Sequence, residues 1–223
     1  MTTFAELFIR QVEDDLKWRE NELAILRKQL IQTTVGSAQE TTFLRTNLAM
    51  IYAHYEGFCK FALTVYIDAL EKRNLKRKDL KWHLAAYSLH QFHDELKKEA
   101  DTASFFSKIL TDFDKHLEDK ATYERPERIA NLWPDLLLLW LARLGLDSTN
   151  VLNERTRLET LVFTRNQIAH GKKLTVSDRT ELNKHANAAI LAMHEVAVGI
   201  AYALETESYK RSARVMTIVE HAV

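Results

Sequence analysis

The stretch RNQIAHGKK, Arg165 to Lys173, puts a guanidinium, an amide and an imidazole close together in the chain. Arg offers a planar fork of donors that fits a phosphate. His takes and gives protons near neutrality, because its unperturbed pKa is about 6.5. Such a pair has the chemistry to cleave RNA without a metal. His170 would move a proton while the ribose 2′-hydroxyl attacks, and Arg165 would stabilise the crowded anionic phosphorus. Asn166 lies at i−4 from His170, where on a helix it would hydrogen-bond or hold the imidazole. Lys172 and Lys173 follow as candidate RNA contacts.

Spacing alone selects little. Arg followed by His after four to six intervening residues occurs at Arg77 with His83, Arg165 with His170, Arg179 with His185, and Arg214 with His221. With 15 Arg and nine His in 223 positions, chance supplies about two such pairs. A straight helix also opposes the pairing, since residues five apart point roughly 140° from each other at about 100° per residue. Either the helix breaks between Arg165 and Gly171, for which a Gly directly after His170 is well suited, or the side chains meet with the help of a second subunit.

Other chemistries have less support. His90 and His93 with Asp94 have a spacing that zinc sites use, and they equally suit a polar surface helix. No H-E-x-x-H accompanies them, and no Glu-x-x-His pair recurs as a di-iron bundle requires. The five Gly form no G-x-x-x-x-G-K, G-x-G-x-x-G or G-x-S-x-G, which argues against triphosphate binding and a Ser hydrolase. A single Cys59 excludes an internal disulfide and a multi-cysteine metal cage. No cofactor is expected. The run EKRNLKRKDLK, with Arg77 and Lys78 at its centre, has the charge to bind phosphates in a salt-sensitive way. It also fits a solvated helix end, where cations favour the C-terminal dipole.

Helices must position these residues. The chain has only five Gly and two Pro, with 28% charged residues, a profile that suits an all-α protein because little in it breaks a helix. Thr3 and Glu6 form a capping box for a first helix ending near Thr33. Leu44, Leu48, Ile51, Tyr55, Phe58, Ala62, Val65 and Ala69 then step by four and three, which predicts a helix of about 30 residues covered along its length, in a bundle or a dimer. Shorter helices are expected from Leu84 to Ala100, Ser104 to Leu117 and Val151 to Thr164. Pro134 suits a first helical turn and Gly145 a C-terminal cap. Asp178 and Glu181 read as a second capping box. One domain over 1–223 is expected, with 74–130 a helical elaboration.

Lys plus Arg equals Asp plus Glu at 31 each, so any nucleic-acid contact must rest on a local patch. The N-terminus is charged throughout and lacks the apolar core of a secretion signal. The most apolar run, Leu136 to Leu146, is shorter than the roughly 20 residues a bilayer span needs. A cytoplasmic protein without a membrane partner is expected.

RNQIAHG, with an amphipathic helix before it and a capped helix after it, resembles the signature of the HEPN superfamily (higher eukaryotes and prokaryotes nucleotide-binding domains). MIYAHYEGFCK, Met50 to Lys60, and NLWPDLLLLWLARLGLD, from Asn131, are similar to phrases of its stand-alone RiboL-PSP-like, or MAE-like, bacterial branch. The resemblance implies an up-and-down bundle and, for many members, a metal-independent endoribonuclease whose Arg-x4-His residues from two subunits share one cleft. Carried onto this chain, the catalytic residues would be Arg165 and His170 with Asn166 beside them, and His54 would be a further candidate near the cleft. The partners implied are an RNA substrate, a second copy of the chain and an antitoxin protein, in a toxin or phage-defence role. Lys172 stands where some HEPN toxins carry a modifiable Tyr, which argues against neutralisation by that route. The rival expectation is a non-catalytic helical dimer that binds RNA, nucleotide or a protein.

Overall fold

The computed structural model describes residues 3–126, 130–174 and 176–211 of the 223; the Arg214 and His221 pair lies outside them. The described residues are all-α, with two isolated β-bridges and no strand. In chain order the helices are α1 (Phe4–Ile31), α2 (Ala38–Lys72), α3 (Trp82–Tyr87), α4 (His90–Leu96), α5 (Thr102–Glu118), α6 (Pro134–Leu144), α7 (Thr149–Asn153), α8 (Arg155–Ala169) and α9 (Arg179–Thr206).

α2 is the centre. It has 35 residues and is therefore roughly 50 Å long. The whole predicted stripe from Leu44 to Ala69 is buried, and so are Tyr52, Cys59, Leu63, Tyr66 and Ile67, which lie off it. A helix that is apolar on most sides must be wrapped by others. α1 packs antiparallel to it, with Arg73 4.0 Å over the Phe4 ring near the end of α2. α8 is also antiparallel, because Arg165 reaches Tyr52 and the chain after α8 reaches Arg45. α9 runs parallel to α2. Arg179 at its start bonds Glu40 and the Thr33 carbonyl, and Glu207 just past its end pairs with Arg73 at 3.3 Å. The result is an up-and-down arrangement of α1, α2, α8 and α9.

Most predicted helix ends are observed. Thr3 and Glu6 form the reciprocal capping box, Pro134 opens α6, and Gly145 closes it in the left-handed conformation at φ 69°. The second box is only half formed. Asp178 accepts the Glu181 amide, but the Glu181 carboxylate turns to Lys184 at 2.9 Å. The helix expected from Val151 to Thr164 is split at Glu154, because the buried Glu195 of α9 accepts the Asn150 and Val151 amides at 2.7 and 2.8 Å and fixes α7 separately. Among the described residues α9, rather than the Leu136 run, is by length and composition the helix apolar enough to cross a membrane. Half of its most apolar window is buried, as expected of a helix packed on α1, α2, α7 and α8.

The segment expected as one helix from Leu84 to Ala100 is two, α3 and α4, and the cause corrects the reading of Arg77. That side chain is 7% exposed rather than solvated. It donates to the Ser88 hydroxyl at 2.9 Å, the Ser88 carbonyl at 3.2 Å and the His116 carbonyl at 2.9 Å. Arg77 therefore ties the α3–α4 junction to the end of α5 and has no face left for RNA. Lys78 is exposed and pairs with Glu118 at 2.6 Å. Arg77→Met is expected to leave those carbonyls unpaired and to cost about 2–3 kcal/mol by urea unfolding, whereas Lys78→Ala is expected to change stability by less than about 0.5 kcal/mol.

Candidate functional site

Leu158, Leu161 and Val162 bury one face of α8 against the core. Arg165 follows Leu161 by one turn, so the same face carries its side chain to α2. There the guanidinium lies 4.4 Å from the centroid of the Tyr52 ring, a cation–π arrangement. Its Nη1 donates to the Asn166 Oδ1 at 3.0 Å and to the Asn131 Oδ1 at 3.3 Å. The Tyr52 hydroxyl accepts the Leu132 amide at 3.1 Å, which holds the ring in place. Burial and the neighbouring Glu56 carboxylate push the Tyr52 phenol up, so it stays neutral. Nη1 is thus committed to holding the side chain, while Nε and Nη2 make no hydrogen bond among the described residues.

His170 is the residue after the last helical one. Gly171 at φ 76° turns the chain, its amide bonding the Ile168 carbonyl and the Lys172 amide bonding the Gln167 carbonyl, both at 3.0 Å. This is a Schellman closure, and it requires the left-handed conformation that Gly adopts at no steric cost. The expected break is therefore present, but it comes after His170 and does not fold His170 back onto Arg165. The imidazole is exposed and has no hydrogen bond or ion pair among the described residues. Asn166 binds Arg165 with its side chain and meets His170 only through its carbonyl, which accepts the His170 amide at 3.0 Å.

Positive charge gathers at this end although the net charge is zero. Arg45 of α2 donates to the Lys172 carbonyl at 3.1 Å. Arg45, Arg165, Lys172 and Lys173 make no ion pair among the described residues, while the nearby Glu56 pairs with Lys60 at 2.7 Å. Arg77 and Lys78 follow the far end of α2, roughly 30 Å along the helix from Tyr52. They are not part of this patch.

His54 is also displaced. Two positions from Tyr52, it faces α1, where it is 2% exposed and edge-on to Trp18 at 5.4 Å. Its Nε2 lies 2.9 Å from the Glu22 carboxylate but out of line for a hydrogen bond, so neither ring nitrogen has a hydrogen-bond partner. Burial lowers its pKa against the pull of Glu22. Gly57 belongs to the same packing, since a Cβ there would stand 2.7 Å from the Arg19 guanidinium. Much of the YAHYEGF phrase therefore serves the α1–α2 contact.

The two rival Arg and His pairs that lie among the described residues are occupied by structure. Arg77 is buried, Arg179 holds Glu40 and Thr33, and His185 is buried with Nδ1 3.2 Å from the Arg157 carbonyl. His93 is exposed beside Asp94, and no group of three metal-ligating side chains converges among the described residues. Sequence reasoning passed over Tyr52, Asn131 and Arg45. Asn131 had a readable signal, as an Asn three residues before a helix-opening Pro, a residue type that tolerates the φ of 61° it adopts.

Residues 8–209 match the family model described as MAE_28990-like HEPN. The chain belongs to the HEPN superfamily. Comparison with curated proteins and with solved structures returns no match. HEPN domains generally include ribonucleases, and the Arg165 and His170 of this HEPN chain occupy one end of α8, the first held and the second free.

Two outcomes are expected. Tyr52→Phe keeps the ring under Arg165 but leaves the buried Leu132 amide without its acceptor, at a cost of about 1–3 kcal/mol measurable by thermal unfolding. Burial holds His54, His83 and His185 below the ordinary imidazole pKa. The unfolded chain then binds more protons, so stability is full above about pH 6.5 and falls as pH drops toward the folded values. Urea midpoints between pH 8 and 5 are expected to follow that slope, and His54→Gln to flatten part of it.

Proposed function

We propose that this HEPN chain is a metal-independent endoribonuclease that works as a homodimer, and that it serves in the cytoplasm as the toxin of a toxin–antitoxin or phage-defence system. One observation carries the reading. Arg165 is held by one nitrogen with its other donors open, while six residues of chain end in an exposed and unpaired His170. Arg165, with Arg45, Lys172 and Lys173, binds the RNA backbone. An imidazole takes the 2′-hydroxyl proton as that oxygen bonds to phosphorus, and the 5′-oxygen leaves with a proton from a second imidazole. The products are a 2′,3′-cyclic phosphate and a 5′-hydroxyl. Within one chain the Arg165 guanidinium turns to α2 and the His170 ring to solvent, so the second copy completes the site.

The purified protein is expected to cut RNA in EDTA, and His170→Ala to lower the rate at least about 100-fold. Mixing His170→Ala chains with unmodified chains is expected to lower activity as the square of the unmodified fraction, because a mixed dimer keeps only one of the two imidazoles of the shared cleft. RNA retained without cleavage by the unmodified protein would instead favour a binding module. Activity that falls only in proportion to the unmodified fraction would return the site to a single chain.

A further inference from the structure

A groove of about 520 Å³ runs between α1 and α9 over a floor from α2, within the usual range of small-molecule sites. No residue of α8 lines it. Leu23, Ile51, Leu182, Ala186 and Ile190 line it, and no aromatic side chain does. It therefore lacks the stacking platform that nucleobases use and suits an aliphatic body.

The two ends of the groove differ in charge. α1 and α9 run antiparallel, Arg179 donating to the Ile31 carbonyl at one end and His194 meeting Glu20 at 2.7 Å at the other. Arg27 and Lys28, toward the Arg179 end, have no hydrogen bond or ion pair among the described residues. Asn47, near that end, is 3% exposed. Its Nδ2 donates to the Phe43 carbonyl at 2.8 Å, and its Oδ1 has no partner among the described residues. That oxygen keeps the floor polar beside the cations. At the far end the groove is lined by Glu20, whose carboxylate meets His194 and disfavours an anion. Leu182 to Ile190 spans about 12 Å of helix, the reach of an extended chain of roughly ten carbons.

We propose that the α1–α9 groove binds a medium-chain carboxylate, with its head at Arg27 and Lys28 and its tail toward Leu23 and Ile190. Occupancy does not depend on RNA cleavage and is read without RNA. Calorimetric titration of the full chain with decanoate, below its micelle concentration, is expected to show one site per chain. Decyltrimethylammonium, with the same tail and the opposite head, is expected to bind at least about tenfold more weakly. Ala186→Trp fills the groove and is expected to abolish binding; should that variant fail to fold by circular dichroism, Asn187→Trp at the exposed rim makes the same test. Arg27→Glu with Lys28→Glu is expected to weaken decanoate at least about tenfold and to reverse the preference for the anion. Absence of decanoate binding, unchanged binding in a folded groove-filled variant, or equal binding of the two amphiphiles would overturn the proposal.

Discussion

Everything in this fold follows from covering α2. Thirty-five residues with apolar side chains on most sides cannot stay in water, and burying a Leu-sized side chain contributes about 1.5–3 kcal/mol. α1, α8 and α9 supply the cover. Polar ties set the register of two of them. Arg179 joins Glu40 and Thr33 where α9 begins, and Glu207 joins Arg73 where it ends. Arg45 binds the chain just after α8. The placement of Arg165 is a consequence of this packing, since the face of α8 that buries Leu158 and Leu161 carries Arg165 onto Tyr52 one turn later.

The two residues at that end of α8 are prepared differently. Arg165 has lost its rotamer freedom to Tyr52, Asn131 and Asn166, so little entropy remains to be lost when its open donors meet a phosphate. His170 has no such support, because the Schellman turn at Gly171 sends the chain away from α8 before the imidazole can fold back. A fixed cation and an exposed imidazole are the two groups that the proposed cleavage uses. The four unpaired cations there also show how a chain of zero net charge still concentrates positive potential, which depends on where the acids sit: Glu118 answers Lys76 and Lys78, while among the described residues no acid pairs with Lys172 or Lys173.

Legibility in the sequence followed burial and local bonding. The Leu44-to-Ala69 stripe was readable because each of its residues is buried. The Thr3 and Glu6 box, Pro134 and Gly145 were readable because those bonds lie within a few residues of one another. Arg77 was read as a solvated or RNA-binding cation, since nothing local marks that its partners are Ser88 and His116, 11 and 39 residues away. His54 was placed near the cleft by its phrase, yet helical rotation puts it two positions and about 200° from Tyr52, against α1. For Arg165 and His170, spacing named the pair, and only the fold brings Tyr52 and Asn131 onto the one and leaves the other without a partner among the described residues.

α5 sets the limit of that rule. Its Phe105, Phe106, Ile109, Leu110, Phe113 and Leu117 form one apolar face, yet none of its residues is buried, and Phe106 and Leu110 are 56% and 84% exposed. Amphipathic spacing therefore predicted the helix correctly without predicting burial. Polar ties fix its position, from Arg77 to the His116 carbonyl and from Lys108 to Glu95 and Glu99, and it packs mainly on α4 and the turn around Arg77 rather than on α2. Helices that wrap α2 have little freedom to vary, because each would expose the central helix if it moved. α5 carries no such constraint.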